Sequence, residues 1–329
     1  MIISQTPLRV SFAGGGTDFS DYYERNEGLV VSTAIDKFAY VVVKERFDDA
    51  IYLNYMKKEI CDEVDEVQHD LIREAMRLSG VDRGVEITLL SDIPSEGAGL
   101  GSSSSFTVGL LNALYTYQGM QVPAERLAEE ACTIEIERLG KPIGKQDQYI
   151  AAFGGLRSFT FQRDGRVETE LLTISSLRIR ELEMRLRLYF TGRTRSADAI
   201  LEEQKEKIDE RMAELDAIKQ LAVELRRNLE EDQIEQLGEI LHANWTLKRK
   251  LASAISDGPI EEMYERARSH GALGGKVCGA GGGGFLLVYT PAEKQDQLSR
   301  GMEEYRLMPF RSERDGSKVI FNYRRDVWK

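Results

Sequence analysis

The chain has 329 residues, 42% hydrophobic and 30% charged, with a formal net charge of −11. That length suits two domains of ordinary size, and the composition is that of a soluble globular protein. The acidic field disfavours nucleic acid as a partner, and no apolar run approaches the ~18 residues of a membrane span.

In chain order, β-branched and alternating residues predict strands over 1–13, 29–35, 38–44 and 51–55. A helix is expected at 66–79 and a strand at 85–90. From about 104, Phe106, Leu110, Leu111, Leu114 and Tyr117 recur with the spacing of one helix face. Pro123 opens and Gly140 closes a helix over 123–139. A strand at 153–161 runs into a hairpin turn at Asp164-Gly165. After a strand at 186–190, residues 196–229 read as a long amphipathic helix. Its apolar face carries Leu201, Ile208, Met212, Leu215, Ala222, Leu225 and Leu229. Helices at 232–252 and 260–270 flank Asp257-Gly258-Pro259, and 285–289 reads as a buried strand. Strands dominate the first half and helices the second, which predicts an α+β protein of two domains, 1–176 and 177–329.

Met1-Ile2-Ile3-Ser4 lacks the basic region and apolar core of a secretory signal. The three cysteines, Cys61, Cys132 and Cys278, form no C-x-x-C pair and suit a reducing, cytoplasmic compartment. The three histidines are too scattered for a zinc site.

Residues 94–105 read Pro-Ser-Glu-Gly-Ala-Gly-Leu-Gly-Ser-Ser-Ser-Ser. A glycine loop feeding a helix presents free N–H groups and the positive end of a dipole, a site for phosphate. The serines add hydroxyl donors or an oxygen ligand for magnesium. Ser102 follows Gly101 directly, so the lysine that a P-loop requires is absent.

A second cluster, Gly279 to Gly284, contains a literal G-x-G-x-x-G, but the segment that follows is a strand, which removes the dinucleotide-binding reading. Five glycines in six residues still let backbone approach a ligand closely. The third cluster is Arg9-Val-Ser-Phe-Ala-Gly-Gly-Gly-Thr-Asp18, where a strand delivers Arg9 and a turn delivers Asp18. Glu135, late on a helix, and Asp147, after a glycine- and proline-containing loop, offer magnesium ligation and proton abstraction. Taken alone, each also fits a surface carboxylate.

Together these segments resemble the GHMP kinases, the superfamily of galactokinase, homoserine kinase and mevalonate kinase. Thr6-Pro-Leu-Arg9-Val with Gly14-Gly15-Gly16-Thr17-Asp18 resembles the first family motif. Pro94 to Ser103 resembles the phosphate loop, and Lys276-Val-Cys-Gly279 to Gly284 the third motif. The resemblance implies a ribosomal-S5-like N-terminal domain, a ferredoxin-like C-terminal domain and a site between them. It implies ATP held by Gly97, Ala98, Gly99, Leu100, Gly101, Ser102, Ser103 and Ser104, and Mg²⁺ on Ser103 and Glu135. Asp147 and Arg9 would be catalytic. Gly15, Gly16, Thr17, Asp18, Lys145, Arg193, Gly281 and Gly282 would contact the acceptor. Lys141 and Arg195 are further candidate cations.

Gly14-Gly15-Gly16 stands where galactokinases carry a glutamate and a histidine, which enlarges the sugar pocket. With Asp21-Tyr22-Tyr23 and the run Phe190 to Ala197, it resembles the heptose 7-phosphate kinase branch. The implied partners are ATP and a small sugar phosphate, phosphorylated at its anomeric hydroxyl. A fucokinase- or galactokinase-like anomeric kinase is the alternative, and a homodimer is left open.

Overall fold

The first half of the chain builds one sheet and the second half another, in a computed structural model that describes residues 1–93, 97–194 and 197–323. The first sheet holds β1 (Ile2–Ala13), β2 (Gly28–Glu45), β3 (Ile51–Asn54), β4 (Lys58–Cys61), β5 (Val85–Ser91), β6 (Leu156–Phe161) and β7 (Val167–Leu171). The second is antiparallel and holds β8 (Leu186–Phe190), β9 (Gly274–Val277), β10 (Phe285–Tyr289) and β11 (Leu307–Met308), in the order β11-β8-β10-β9. A last strand, β12 (Lys318–Asn322), returns to the first sheet and pairs with β1.

The helices of the first half are α1 (Ser20–Asn26), α2 (Asp70–Ser79), α3 (Ser102–Tyr117), α4 (Ala124–Cys132) and α5 (Gln146–Phe153). Those of the second are α6 (Ser176–Arg185), α7 (Asp198–Glu206), α8 (Met212–Glu230), α9 (Leu237–Lys248), α10 (Gly258–Ser269) and α11 (Gln295–Gly301). This is the α+β architecture that the order of strands and helices predicts.

Three outcomes differ from the sequence reading. The strands expected at 29–35 and 38–44 are one strand, β2, with a register shift opposite Pro7/Leu8 in place of a break. Its first half pairs with β6 and its second with β5, so it joins two parts of the sheet. The long helix expected over 196–229 is interrupted after Glu206 and resumes at Met212, although Ile208, Leu215, Ala222, Leu225 and Leu229 are buried as its apolar face requires. Residues 318–322 lie in the first sheet, and we propose that the second unit closes at β11.

Strand geometry sets the site. Successive side chains of β1 point to opposite faces. Leu8, Val10 and Phe12 enter an apolar cluster with Leu188, Ala222, Leu225 and Tyr289, which ties the two sheets together. The alternate residues Arg9 and Ser11 face a cleft instead. Burying each large apolar side chain is worth roughly 1.5–3 kcal/mol, so the strand that carries Arg9 is firmly seated.

Candidate active site

The cleft has a volume of about 210 Å³ and is walled by all three glycine clusters. Gly97, Gly99 and Gly101 have φ of 68°, 74° and 77°, the left-handed region that L side chains avoid. Gly101 sits at the N-cap position of α3, so the serine run opens the helix as the phosphate-loop reading requires. Gly97, Ala98, Gly99, Ser102, Ser103 and Ser104 line the cleft. Leu100 does not: its side chain is buried in the core, and its carbonyl accepts the Arg9 backbone N–H at 3.0 Å.

The clusters touch backbone to backbone. A Cβ on Gly99 would meet the Cys278 carbonyl oxygen at 2.5 Å, and one on Gly284 would meet the Ala98 carbonyl oxygen at 2.4 Å. Gly99 and Gly284 are therefore the residues that let the second cluster close on the phosphate loop.

Arg9 donates from Nε and Nη2 to the two carboxylate oxygens of Asp147, both at 2.7 Å, and from Nη1 to the Gly99 carbonyl at 2.6 Å. Such a fork fixes position as well as charge. Asp147 stands in the first turn of α5, and its Oδ2 lies 3.3 Å from where a Gly101 Cβ would be. The carboxylate is thus held against the opening of α3. On its far side Asp18, 2% exposed, accepts from the Gly16 N–H at 2.9 Å and from the Gln146 N–H and Nε2 at 3.2 and 3.1 Å. Burial raises the Asp18 carboxyl above its ordinary range, and the Asp147 charge adds to this against the Gly16 and Gln146 hydrogen bonds.

Glu135 occupies a π-helical turn (Thr133–Arg138) that continues α4, an irregularity frequent at functional sites. It is fully buried; Ser103 donates to its Oε1 and Gln148 to its Oε2, each at 2.7 Å. Burial raises its carboxyl, while Lys141 and the hydrogen bonds from Ser103, Ser104 and Gln148 pull the other way. Lys141 Nζ reaches Ser103 Oγ at 3.4 Å, and the buried Ser102 hydroxyl has no hydrogen-bond partner among the described residues. One carboxylate, hydroxyls and an orphaned oxygen donor are the hard ligands magnesium takes when phosphates and waters complete its shell. No cluster of three or more acidic, histidine or cysteine side chains suited to a metal occurs among the described residues. These residues fit a cation shared with a phosphate ligand.

Gly15, Gly16 and Asp18 line the cleft as expected, and five other expected contacts do not. The Thr17 hydroxyl donates to the Gly14 carbonyl at 2.8 Å and accepts the Leu29 N–H at 3.1 Å, stapling the turn to β2. Lys145 turns to the Gly165 carbonyl at 2.8 Å and over the Tyr23 ring. Arg193 pairs with Asp257 at 2.7 Å. Gly281 is packed against Ile255, and the Gly282 N–H donates to the Ile255 carbonyl at 2.8 Å. Arg195 lies outside the described residues. Lys248, Lys276, Ser11 and Gln204 line the cleft without having been singled out for a role. Lys276 opened the third motif, but nothing local to it signalled burial.

An anion cradle at a helix opening, a buried carboxylate beside serine hydroxyls and an aspartate clamped by arginine define a phosphotransferase acting on a small hydroxyl compound. A family model described as GHMP kinases N terminal domain matches residues 64–155, and one described as GHMP kinases C terminal matches residues 225–306. The chain is 32% identical to a D-glycero-alpha-D-manno-heptose 7-phosphate kinase of Campylobacter jejuni, over 92% of this chain and 93% of that protein. It is 25% identical to the bifunctional fucokinase/GDP-fucose pyrophosphorylase of Arabidopsis thaliana, over 92% of this chain but 31% of that protein. A crystal structure of a D-glycero-D-manno-heptose 1-phosphate kinase from Bacteroides thetaiotaomicron superposes with a TM-score of 0.81 at 27% identity, covering 98% of this chain and 100% of that one. The chain belongs to the GHMP kinase family and is an ATP-dependent sugar phosphotransferase. No helix among the described residues is long and apolar enough to cross a membrane.

Proposed function

We propose that this enzyme transfers the γ-phosphoryl of ATP to the anomeric hydroxyl of D-glycero-D-manno-heptose 7-phosphate, giving the 1,7-bisphosphate and ADP. The observation that carries the reading is the Arg9–Asp147 pair, set between the opening of α3 and the buried Asp18. The 32% identity to a heptose 7-phosphate kinase over almost the whole chain supports the choice of sugar.

Backbone N–H groups of Gly97–Ser104 and the dipole of α3 bind the donor's phosphates. Ser103 and Glu135 would hold magnesium, which bound there would neutralise charge developing on those phosphates. Asp18 accepts hydroxyl hydrogens of the sugar, with Gly15 and Gly16 letting the ring approach the backbone. Asp147 takes the proton as the anomeric oxygen bonds to phosphorus and the bond to ADP breaks. Each of its oxygens has a lone pair left after bonding Arg9. An anomeric hydroxyl is acidic for an alcohol, so the base is asked for little and positioning supplies most of the rate.

A panel of sugars with ADP release as readout tests this. Turnover with heptose 7-phosphate well above that with L-fucose, galactose and mevalonate supports the proposal; faster turnover of fucose or galactose overturns it.

A further inference from the structure

Two buried lysines face the cleft from different elements: Lys248, the last residue of α9, and Lys276, on β9. They are 7% and 2% exposed. Neither is in an ion pair among the described residues. Lys248 Nζ donates to the Gly279 carbonyl, and Lys276 Nζ reaches the Phe12 carbonyl at 3.5 Å. An ammonium has three donors, so each keeps capacity that one carbonyl does not use. The acidic groups nearby are engaged. Asp18 is held by Gly16 and Gln146, and Asp147 by Arg9. Two buried cations that repel one another and share the attraction of one carboxylate, Asp18, are costly, and a fold keeps them where a further anion compensates.

The position sets that anion apart from the Ser103–Glu135 group of the cleft. Lys141 and Glu135 mark the α3 side of the cleft. Lys248 and Lys276 lie against the second and third glycine clusters, at the Gly279 and Phe12 carbonyls, and interact electrostatically with Asp18 and Arg9. Ser11, one β1 step beyond Arg9 on the same face, lines the cleft with a buried hydroxyl that has no hydrogen-bond partner among the described residues.

We infer that Lys248 and Lys276, with the Ser11 hydroxyl, form the subsite for a phosphomonoester that the acceptor already carries before it is phosphorylated. This rests on the reading that the acceptor is a sugar phosphate, and it assigns the residues that select it. Two ammonium groups and a hydroxyl match a phosphomonoester's two charges and three terminal oxygens. The same cations would exclude neutral sugars, because an acceptor without the phosphate leaves them buried and unpaired.

The experiment compares wild type, Lys248→Met and Lys276→Met on two acceptors, heptose 7-phosphate and the unphosphorylated heptose. Lys→Gln versions replace any Met variant that does not fold. Each variant is expected to raise KM for the phosphorylated acceptor ~10–100-fold, the worth of one charge-assisted contact, with KM for ATP unmoved. The kcat/KM ratio between the two acceptors should collapse accordingly. An unchanged ratio overturns the inference, as does an equal loss of kcat on both acceptors, which would assign the lysines to the transferred phosphoryl. A wild type that prefers the unphosphorylated heptose overturns the proposed substrate itself, and the subsite with it.

Discussion

Asp147 and Arg9 form a two-pronged contact in which both carboxylate oxygens are met at 2.7 Å, and the remaining guanidinium nitrogen is anchored on the Gly99 carbonyl at 2.6 Å. Segments 90 and 138 residues along the chain from Arg9 are thereby locked into one geometry. The base position, the strand and the phosphate loop cannot move independently.

Asp147→Asn keeps the shape but removes the proton acceptor and one arm of the charged fork. Turnover should fall about 10²-fold or more, with little change in ATP affinity. Steady-state kinetics alongside calorimetric titration of a non-hydrolysable ATP analogue separate the two. Near-normal turnover would remove Asp147 from the role of base.

Glu135→Gln should act on the metal. The buried carboxylate supplies a formal negative charge beside Ser103 and Gln148. Half-saturating magnesium should rise about 10-fold or more, with the fold intact. Magnesium titration of ATP turnover reads this directly; an unchanged magnesium requirement would place the ion elsewhere.

Gly99→Ala tests the contact between glycine clusters. At φ 74° and with the Cys278 carbonyl oxygen 2.5 Å from the new Cβ, the substitution strains the backbone and pushes the second cluster away. The strain alone is worth about 1–3 kcal/mol. A lowered Tm together with a raised KM for ATP is the expected result, and a variant unaltered in both would contradict the contact.

The lysine pair predicts a pH dependence. Burial lowers the Lys276 ammonium to about 8, with the Arg9 charge pushing the same way and Cys278 and Asp18 opposing. Burial also lowers Lys248, followed by repulsion from Lys276. For a cation with a lowered pKa, the charged form that binds an anion is lost as pH rises through that value. The acceptor's own phosphate becomes a dianion above about 6. KM for the phosphorylated acceptor should therefore be lowest between those limits and climb above about 8. Lys276→Met should lose the upper inflection, and a variant that keeps it would assign the inflection to another group.

Much of the site was legible because its chemistry is local in sequence. Clustered glycines before a serine-rich helix start mark a cradle whatever surrounds them. The order of three such clusters carried the family resemblance. What was not legible depended on burial. Lys145 and Arg193 look like free cations in sequence, but Gly165 and Asp257 take them; Lys248 looks like a solvated helix end, yet packing buries it. β12 could not be found because its partner, β1, lies at the opposite end of the chain. The serine-poor, mixed sequence of α5 gave no helix signal strong enough to show that Asp147 is on its first turn.

The most direct measurement is ³¹P NMR of the product formed from ATP and heptose 7-phosphate. The account predicts one new phosphate resonance, coupled to the anomeric proton, appearing with one ADP per sugar and forming about 10²-fold more slowly with Asp147→Asn. A new phosphate on any other hydroxyl, or ADP release with the sugar unmodified, would contradict it.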